Sequence, residues 1–356
     1  MDFSLLKRSL FVLAFFSISF SISCSAQKKV QIGAYYFDGW TGTYSNHITS
    51  ALKTKFADRE PVWGWLNSSQ KSIDEQINEA ANAGLSFFSF CWFYHGKDKY
   101  QKEPLNNAFN YYLRSSQKKK LDFCLTVTNH QYSEIGPKDW PDLIPIWISY
   151  FKDPSYLRVS GKPLLIFYEY ASLIKHFQTK ERLKQAMDEL RAAAKQAGLP
   201  GVSIALCALP TNAALAAETG FDIVTGYNYH TLALNEGTRE IPISALQKKE
   251  EQFWNSFPKN TSVKYIPVST LGWDPRPWAN SANSYATAPF YKDFSVESVR
   301  RSVEGCIRWI KKNPRSSIDG VALLYAWNEI GEGAWLTSGK NGFRPLDGVK
   351  KALKKK

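Results

Sequence analysis

Residues 320–332 read GVALLYAWNEIGE, and this stretch decides the fold class. The run up to Trp327 is almost wholly apolar, which is typical of a β-strand buried on both faces of a sheet. It leads directly into Asn328 and Glu329, and Glu332 follows three residues later. In parallel sheets covered by helices, functional groups follow the carboxyl ends of the strands. The stretch therefore predicts a parallel strand that carries two carboxylates at its carboxyl end.

Seven further apolar runs precede this strand, at residues 30–37, 85–92, 121–128, 163–170, 202–208, 222–229 and 263–269. Helical patterns separate the runs. A capping box at Ser72 opens one helix, which Gly84 ends, and two more helices cover 180–197 and 295–312. Eight strand-then-helix units in about 330 residues predict an α/β fold with a single (β/α)8 barrel of the TIM type. A doubly wound sheet is the alternative, but no GxGxxG motif follows the first run.

The segments that follow the predicted strands are much longer than those that precede them. The long ones are residues 38–70, 93–104, 129–140, 230–241 and 271–294, and they hold Trp40, Trp63, Trp65, Trp140, Trp273 and Trp278. In a barrel, the loops after the strands form the face on which active sites lie. We therefore predict long loops on the carboxyl-terminal face, with flat aromatic side chains on which sugar rings can stack.

The composition fits one folded domain over residues 27–356. Hydrophobic residues make up 44% and charged residues 22% of the chain, which excludes a disordered or coiled-coil protein. The net charge of +13 comes from scattered lysines and arginines, which favours a solvated surface over a nucleic-acid site. A patch that attracts acidic glycans or a membrane surface is the alternative. The 5 His and 5 Cys form no CxxC or HExxH pattern, so we expect no metal and no cofactor.

Residues 1–26 have the pattern of a secretion signal. Lys7 and Arg8 precede an apolar run over 10–20, which is too short to span a bilayer. Cleavage after Ala26 predicts a soluble secreted chain, whereas the lipobox-like context of Cys24 predicts a lipidated cysteine and a membrane tether. Both alternatives place the protein outside the cytoplasm, in the periplasm or on the outer membrane or cell surface of a bacterium as a lipoprotein.

Glu329 and Glu332 are the strongest candidates for a catalytic pair. Gly331 and Gly333 flank Glu332 and allow a tight turn that returns the second carboxylate to the pocket of the first. Glycoside hydrolysis needs two such groups, one to protonate the leaving oxygen and one to act as base or nucleophile. The alternative pair within a barrel is Glu169 as acid/base with Glu329 as nucleophile.

Polar and aromatic residues near the strand ends are candidates for substrate binding. They are Tyr36, Trp92, His130, Glu169, Tyr227, Asn228, Trp273, Asp274, Asn328 and Trp335. Hydroxyl, amide and carboxyl groups around one barrel mouth suit the hydroxyls of a sugar. We therefore expect a monomer whose partner is a poly- or oligosaccharide.

Motifs in a fixed order along the chain carry a resemblance to a known family. They are GAYYF at 33–37, IDEQI at 73–77 followed by FCWF at 90–93, GKPLLIF at 161–167, and WNEIGEG at 327–333. The chain resembles the superfamily of glycoside hydrolase family 99 (endo-α-mannosidase-like) and WbsX-like proteins. Its members are (β/α)8 barrels that act on glycans or are associated with them.

The resemblance implies retaining hydrolysis of an α-mannoside without a covalent enzyme intermediate. Glu329 would help the substrate's 2-hydroxyl to attack its own anomeric carbon, and Glu332 would protonate the leaving group. Residues 126–131, TVTNHQ, differ from the Trp-Ala-Asn-Glu type phrase of the WbsX-like pattern, so the sugar is not carried over. The open aromatic loops favour endo action on a chain. A carbohydrate-binding barrel without turnover and a glycosyltransferase are the alternatives.

Overall fold

A computed structural model describes residues 30–42, 47–234 and 238–354 of the protein. The expected secretion signal, with Cys24 and both candidate cleavage sites, lies outside these residues. Within them, no helix is both long enough and apolar enough to cross a membrane. The cysteines at 91, 124, 207 and 306 are free thiols.

Eight parallel strands form the barrel, and each corresponds to one of the apolar runs of the sequence. They are β1 Gln31–Tyr36, β2 Phe87–Trp92, β3 Asp122–Val127, β4 Lys162–Phe167, β5 Ser203–Cys207, β6 Ile223–Thr225, β7 in two segments, Lys264–Tyr265 and Val268–Thr270, and β8 Val321–Tyr325. The first segment of β7 pairs with β6 and the second pairs with β8, which also pairs with β1. The strand ladder therefore closes on itself, and the expected α/β fold of the TIM-barrel type is confirmed.

Helices and short strand pairs surround the barrel. In the described ranges the α-helices are α1 Ser50–Thr54, α2 Gln70–Ala83, α3 Asn107–Arg114, α4 Trp140–Phe151, α5 Tyr170–Phe177, α6 Lys180–Gln196, α7 Ala213–Glu218, α8 Ile243–Trp254, α9 Val296–Lys312 and α10 Leu346–Lys354. The short pairs are Arg158–Val159 with β4, Glu240–Pro242 with Phe290–Lys292, and Asn328–Glu329 with Ala334–Trp335. Helices α6 and α9 follow the predicted bounds within one residue.

Helix α2 begins earlier than its sequence predicts. The Oγ of Ser69 accepts a hydrogen bond from the Ser72 N–H at 3.3 Å, so Ser69 is the N-cap and the expected capping box at Ser72 is wrong. Ser69 accepts from the first-turn amide of Ser72, three residues downstream, so Gln70 and Lys71 belong to the helix. The other end is as predicted, because Gly84 takes a left-handed φ of 95°.

Side chains on each strand alternate between the barrel interior and the helix layer. On β1, Tyr35 points inward, whereas Tyr36 points outward and its hydroxyl donates to Gln76 of α2 at 2.9 Å. On β2, Trp92 also points outward and packs against Trp147 of α4. Tyr36 and Trp92 were expected at the substrate site from their positions at strand ends. Their strand register places them between sheet and helices instead.

One carboxylic acid is buried between α8 and the barrel. Glu250 is fully buried, and its carboxyl accepts hydrogen bonds from the Ser269 hydroxyl at 2.8 Å and the Thr270 N–H at 2.7 Å. Burial raises the pKa of Glu250 to about 8, although both hydrogen bonds favour the ionised form. The folded protein therefore holds Glu250 as a neutral acid up to about pH 8.

Replacing Glu250 by Gln should flatten the pH dependence of stability. The unfolded chain releases this proton above about pH 4.5, whereas the folded protein keeps it up to about pH 8, so the wild type loses stability as pH rises across that window. The group contributes a slope of at most about 1.4 kcal/mol per pH unit. Urea denaturation at about pH 5, 6.5 and 8 measures the free energy of unfolding. If the free energy of unfolding changed with pH in the same way for wild type and Glu250→Gln, the raised pKa of Glu250 would be contradicted.

Candidate active site

The chain after β8 forms a tight hairpin that holds both glutamates of the sequence motif. Asn328–Glu329 pairs in antiparallel fashion with Ala334–Trp335, and a 3₁₀ turn over Ile330–Glu332 connects them. Gly333 has a φ of 77°, in the left-handed region that glycine adopts at little cost. Because all barrel strands are parallel, the hairpin lies on the same face as the ends of the other seven strands.

Close packing against the loop after β7 fixes the hairpin. A Cβ on Gly331 would lie 2.1 Å from the Trp278 ring, and a Cβ on Gly272 would lie 2.1 Å from the Gly333 carbonyl oxygen. The two glycines of the motif therefore serve different purposes. Gly333 supplies the backbone conformation expected from the sequence, whereas Gly331 supplies space.

Glu329 lies in the barrel mouth and is only 7% exposed. Its Oε1 accepts a hydrogen bond from the Tyr227 hydroxyl at 2.8 Å. The Tyr227 ring packs among three further tyrosine rings, those of Tyr35, Tyr168 and Tyr325. Burial raises the pKa of Glu329 well above its ordinary value, the charge of Glu332 raises it further, and the Tyr227 hydrogen bond offsets part of the rise.

Glu332 accepts a hydrogen bond from the Tyr325 hydroxyl. Burial raises the pKa of Glu332 to about 7, although the Tyr325 hydrogen bond favours the ionised form. Two negative charges side by side in a desolvated site are unfavourable, so the pair holds a proton near neutral pH.

Asn328 fastens the hairpin to the end of β1. Its Oδ1 accepts from the Phe37 N–H at 2.9 Å, and its Nδ2 donates to the Phe37 carbonyl at 2.7 Å. The Trp40 indole N–H donates to the Asn328 carbonyl at 2.8 Å. Asn328 was expected to bind substrate, but its amide is engaged at both ends. It positions the neighbouring Glu329.

A buried group of charges fastens the other side of the hairpin. Asp274 forms ion pairs with Arg59 and with Arg276, whose Nε lies 2.7 Å from its carboxylate. Arg59 also donates to the Ile330 carbonyl at 3.2 Å, and the Asp274 N–H donates to the Glu332 carbonyl at 2.7 Å. Burial opposes ionisation, but the two arginines hold the pKa of Asp274 below its usual value. Asp274 therefore positions Glu332, a role that differs from the expected substrate contact.

A neutral aromatic wall borders the carboxyl pair. The Asn228 Oδ1 lies 2.6 Å from the His230 Nδ1, and the His230 ring stacks on Trp273 with 3.7 Å between centroids. The Asn228 amide also reaches the hydroxyl of Tyr325. Burial lowers the pKa of His230 to about 4, so the ring is uncharged near neutral pH. Asn228 and Trp273, both expected at the site, thus lie beside it.

The end of β4 points a tyrosine, not its glutamate, toward the pair. The Tyr168 ring contacts that of Tyr227 at 5.1 Å, and the Asn129 amide holds the backbone of Tyr168 and Glu169. The ring of His130 lies 5.5 Å from that of Tyr168, at the rim. The Glu169 side chain lines a separate cavity of about 540 Å³ beside α5. The structure therefore brings Glu332, and not Glu169, together with Glu329.

Trp335 lines a neighbouring cavity of about 410 Å³, together with Arg59 and Asp274. Its ring packs edge-on against Phe294 at 4.6 Å and against Phe343 at 6.2 Å, and is only 7% exposed. Trp335 was expected to bind substrate beside the glutamate pair, but its ring lies on the far side of the hairpin.

Two functional groups escaped the sequence analysis. In the sequence, Tyr325 belongs to the apolar run that predicts the last strand. Its hydroxyl group, four residues before Glu329, was the one feature that could have indicated a contact with the glutamate pair. Arg59 lies in a long loop and gives no signal of burial in the sequence. Among the described residues, no group of three or more His, Cys, Asp or Glu side chains could hold a metal ion.

The protein is therefore a (β/α)8 barrel with a desolvated pair of glutamic acids in its mouth. The chain belongs to the family described as "Glycosyltransferase WbsX", whose family model matches residues 64–342. Among curated protein sequences, none matches the chain significantly.

Solved structures with the same fold carry glycoside hydrolase names. A "glycoside hydrolase-like protein" aligns with a TM-score of 0.63 at 15% identity, over 96% of this chain and 97% of its own. The GH99 endo-α-mannosidase of Bacteroides thetaiotaomicron aligns with a TM-score of 0.61 at 14% identity, over 91% of this chain and 97% of its own. At such identities the likeness establishes the fold.

Replacing Asp274 by Asn should destabilise the protein by about 3 kcal/mol, because it leaves the buried Arg59 guanidinium without its carboxylate. The matched control is Asp188→Asn on α6. Asp188 also pairs with two cations, Lys184 and Arg191, but its side chain is 50% exposed, so the loss should stay below about 1 kcal/mol. Urea denaturation measures both losses. Equal losses would show that Asp274 does not clamp the hairpin.

Proposed function

We propose that the protein is a glycoside hydrolase that uses Glu329 and Glu332 as its acid and base. The proposal rests on the pair itself: a buried and a half-buried carboxyl group, each hydrogen-bonded to a tyrosine hydroxyl, with both pKa values raised mainly by desolvation. A general acid must keep its proton near neutral pH, while the base beside it must be ionised. One proton held by two carboxyl groups meets both needs.

The proposed substrate is an α-mannoside-like or related glycan, cleaved within the chain. The uncharged wall of Asn228, His230 and Trp273 suits a neutral sugar, because it offers an amide and a stacked aromatic surface without a charge. The GH99 endo-α-mannosidase that shares the fold supports the same substrate class.

In the proposed reaction, the Glu329 carboxylate accepts the proton of the substrate's 2-hydroxyl while that oxygen bonds to the anomeric carbon. The bond to the leaving oxygen breaks, and Glu332 protonates that oxygen. A water molecule then attacks the anomeric carbon and the bond from that carbon to the 2-oxygen breaks. The water gives a proton to Glu332, and the 2-oxygen recovers its proton from Glu329. The configuration is retained after two displacements, and each carboxyl group ends in its starting state.

The proposed reaction needs the shared proton of the pair on Glu332 and the charge on Glu329. Substrate binding favours this arrangement. A sugar hydroxyl that donates to Glu329 stabilises the ionised form and lowers its pKa, and a glycosidic oxygen beside Glu332 accepts a hydrogen bond from the protonated form. The pair therefore becomes reactive only when the substrate fills both positions.

Transfer to a sugar acceptor is the second candidate, because the family description names a glycosyltransferase. The anomeric carbon of a nucleotide-sugar donor would then react with an acceptor hydroxyl, and the nucleotide would be the leaving group. We favour hydrolysis because residues 1–26 have a secretion pattern, and a secreted chain meets no nucleotide-sugar donors. Mass spectrometry of the native amino terminus tests this localisation, and an intact Met1 in a cytosolic fraction would refute it.

Glu332→Gln should abolish most turnover on glycans, which have poor leaving groups, but spare part of the turnover on activated aryl glycosides, which need little protonation. Glu329→Gln should cripple both kinds of substrate, since it removes the group that drives attack at the anomeric carbon. Substrates come from a panel of α-mannans and acidic polysaccharides, with and without added acceptor sugars, and product analysis separates hydrolysis from transfer.

The matched control is Glu169→Gln, which should retain near wild-type rates on both kinds of substrate. A leaving-group-dependent loss in Glu169→Gln, with Glu332→Gln unaffected, would instead support the pair of Glu169 and Glu329. If both variants of the hairpin kept the wild-type rate, the proposed roles would be refuted. Binding of glycans without turnover by the wild type would identify a carbohydrate-binding barrel.

A further inference from the structure

The end of the barrel opposite the carboxyl pair carries a broad basic groove. It is a cavity of about 900 Å³, lined by residues that precede β1, β4, β7 and β8. We define the basic groove by its four cations, Lys259, Lys264, Lys311 and Arg315. Because it lies where the parallel strands begin, the whole barrel separates it from Glu329.

The basic groove holds more cations than acids among the described residues that line it. Lys259, Lys311 and Arg315 are exposed, and none of the four forms an ion pair in the part of the chain that the structure describes. The Lys264 ammonium donates to the Arg315 backbone carbonyl at 2.7 Å. Among the described lining residues the acidic one is Asp319, whose carboxylate accepts a hydrogen bond from the Ser160 backbone N–H. Such a surface attracts anions.

Two helix ends extend the positive charge. Lys312 ends α9 next to the groove, and Lys354 ends α10. A Cβ on Gly84, just before β2, would lie 2.9 Å from Leu353, so α10 ends on the same face of the barrel. The charge therefore spreads over a face and is not confined to one cavity.

The chain itself reaches the barrel at this groove. Val30 lines the groove, and β1 begins at the next residue. Cys24, the candidate for lipidation, precedes Val30 by six residues, which span about 20 Å when fully extended. A barrel tethered at Cys24 would therefore keep the groove within about two Debye lengths of the lipid surface.

We propose that the basic groove docks on an anionic phospholipid bilayer and turns the catalytic mouth away from the membrane. A lysine or arginine near an anionic surface strengthens binding about fivefold, and a basic surface is a typical second signal beside a lipid chain. The 17 residues of α9 set the height of the barrel wall at about 25 Å. The mouth then opens toward the medium, where a polysaccharide can reach it.

An acidic polysaccharide is the competing occupant, since it would contact the same four cations. The bilayer is favoured because the chain arrives at this face, so membrane attachment and the groove act on the same side. The position of the amino-terminal segment beside the groove would not strengthen the binding of a polysaccharide.

Co-sedimentation with vesicles tests the proposal. The triple variant Lys259→Glu, Lys311→Glu, Arg315→Glu and the wild type are mixed with vesicles of phosphatidylcholine, alone or with about 30% phosphatidylglycerol. The wild type should bind the anionic vesicles at least about tenfold more strongly, a preference that about 0.5 M salt removes. The triple variant should lose the preference. Both proteins carry the same amino terminus, so a contribution from the leader or a lipid cancels.

The matched control reverses three exposed lysines in the loops after β1, β2 and β3, at the opposite end: Lys55→Glu, Lys99→Glu and Lys138→Glu. It changes the net charge equally and should keep the preference. Equal losses in both triple variants would show that binding follows net charge, and would overturn the proposal. So would a wild type without preference, a groove variant that keeps it, or groove-dependent binding to a sulfated polysaccharide but not to vesicles.

Discussion

The desolvation of two neighbouring carboxylic acids after β8 determines how the barrel mouth is built. Desolvation and mutual repulsion both oppose ionisation of Glu329 and Glu332, so the pair keeps a proton at pH values where exposed glutamates have lost theirs. The hydroxyls of Tyr227 and Tyr325 each donate one hydrogen bond to a carboxyl group of the pair. These bonds offset part of the cost of desolvation, but they add no positive charge. A proton held in this way is the starting point for acid and base chemistry at a glycosidic bond.

Closure of the barrel brings together the loops whose hydrogen bonds and ion pairs hold these carboxyl groups in place. The strands that pair with β8 are β1 and β7, and each of them is followed by a loop that fastens one side of the hairpin. Asn328 binds the backbone after β1, and Asp274 after β7 holds Arg59 and the Glu332 carbonyl. The positioning groups are therefore distant in sequence and adjacent in space, so the site depends on the completed fold and not on a local turn alone.

Much of the fold could be predicted from the sequence, because strands buried on both faces leave long apolar runs. All eight were recognised, and so was the glutamate pair, since polar residues directly after such a run are conspicuous. Strand register was harder: one residue separates the inward Tyr35 from the outward Tyr36, and composition does not reveal the difference. The burial of Arg59 could not be predicted, because it follows from loop packing around a closed barrel.

Carbon-13 NMR of protein labelled at the glutamate carboxyl carbons tests directly whether Glu329 and Glu332 share a proton at neutral pH. We expect two carboxyl signals that titrate near or above neutral pH, one lost in each single Gln variant of the pair, beside the signal of Glu250. Removing Glu250 as well isolates the pair. If every remaining glutamate then titrated near its ordinary pKa of about 4.3, the claim would be contradicted.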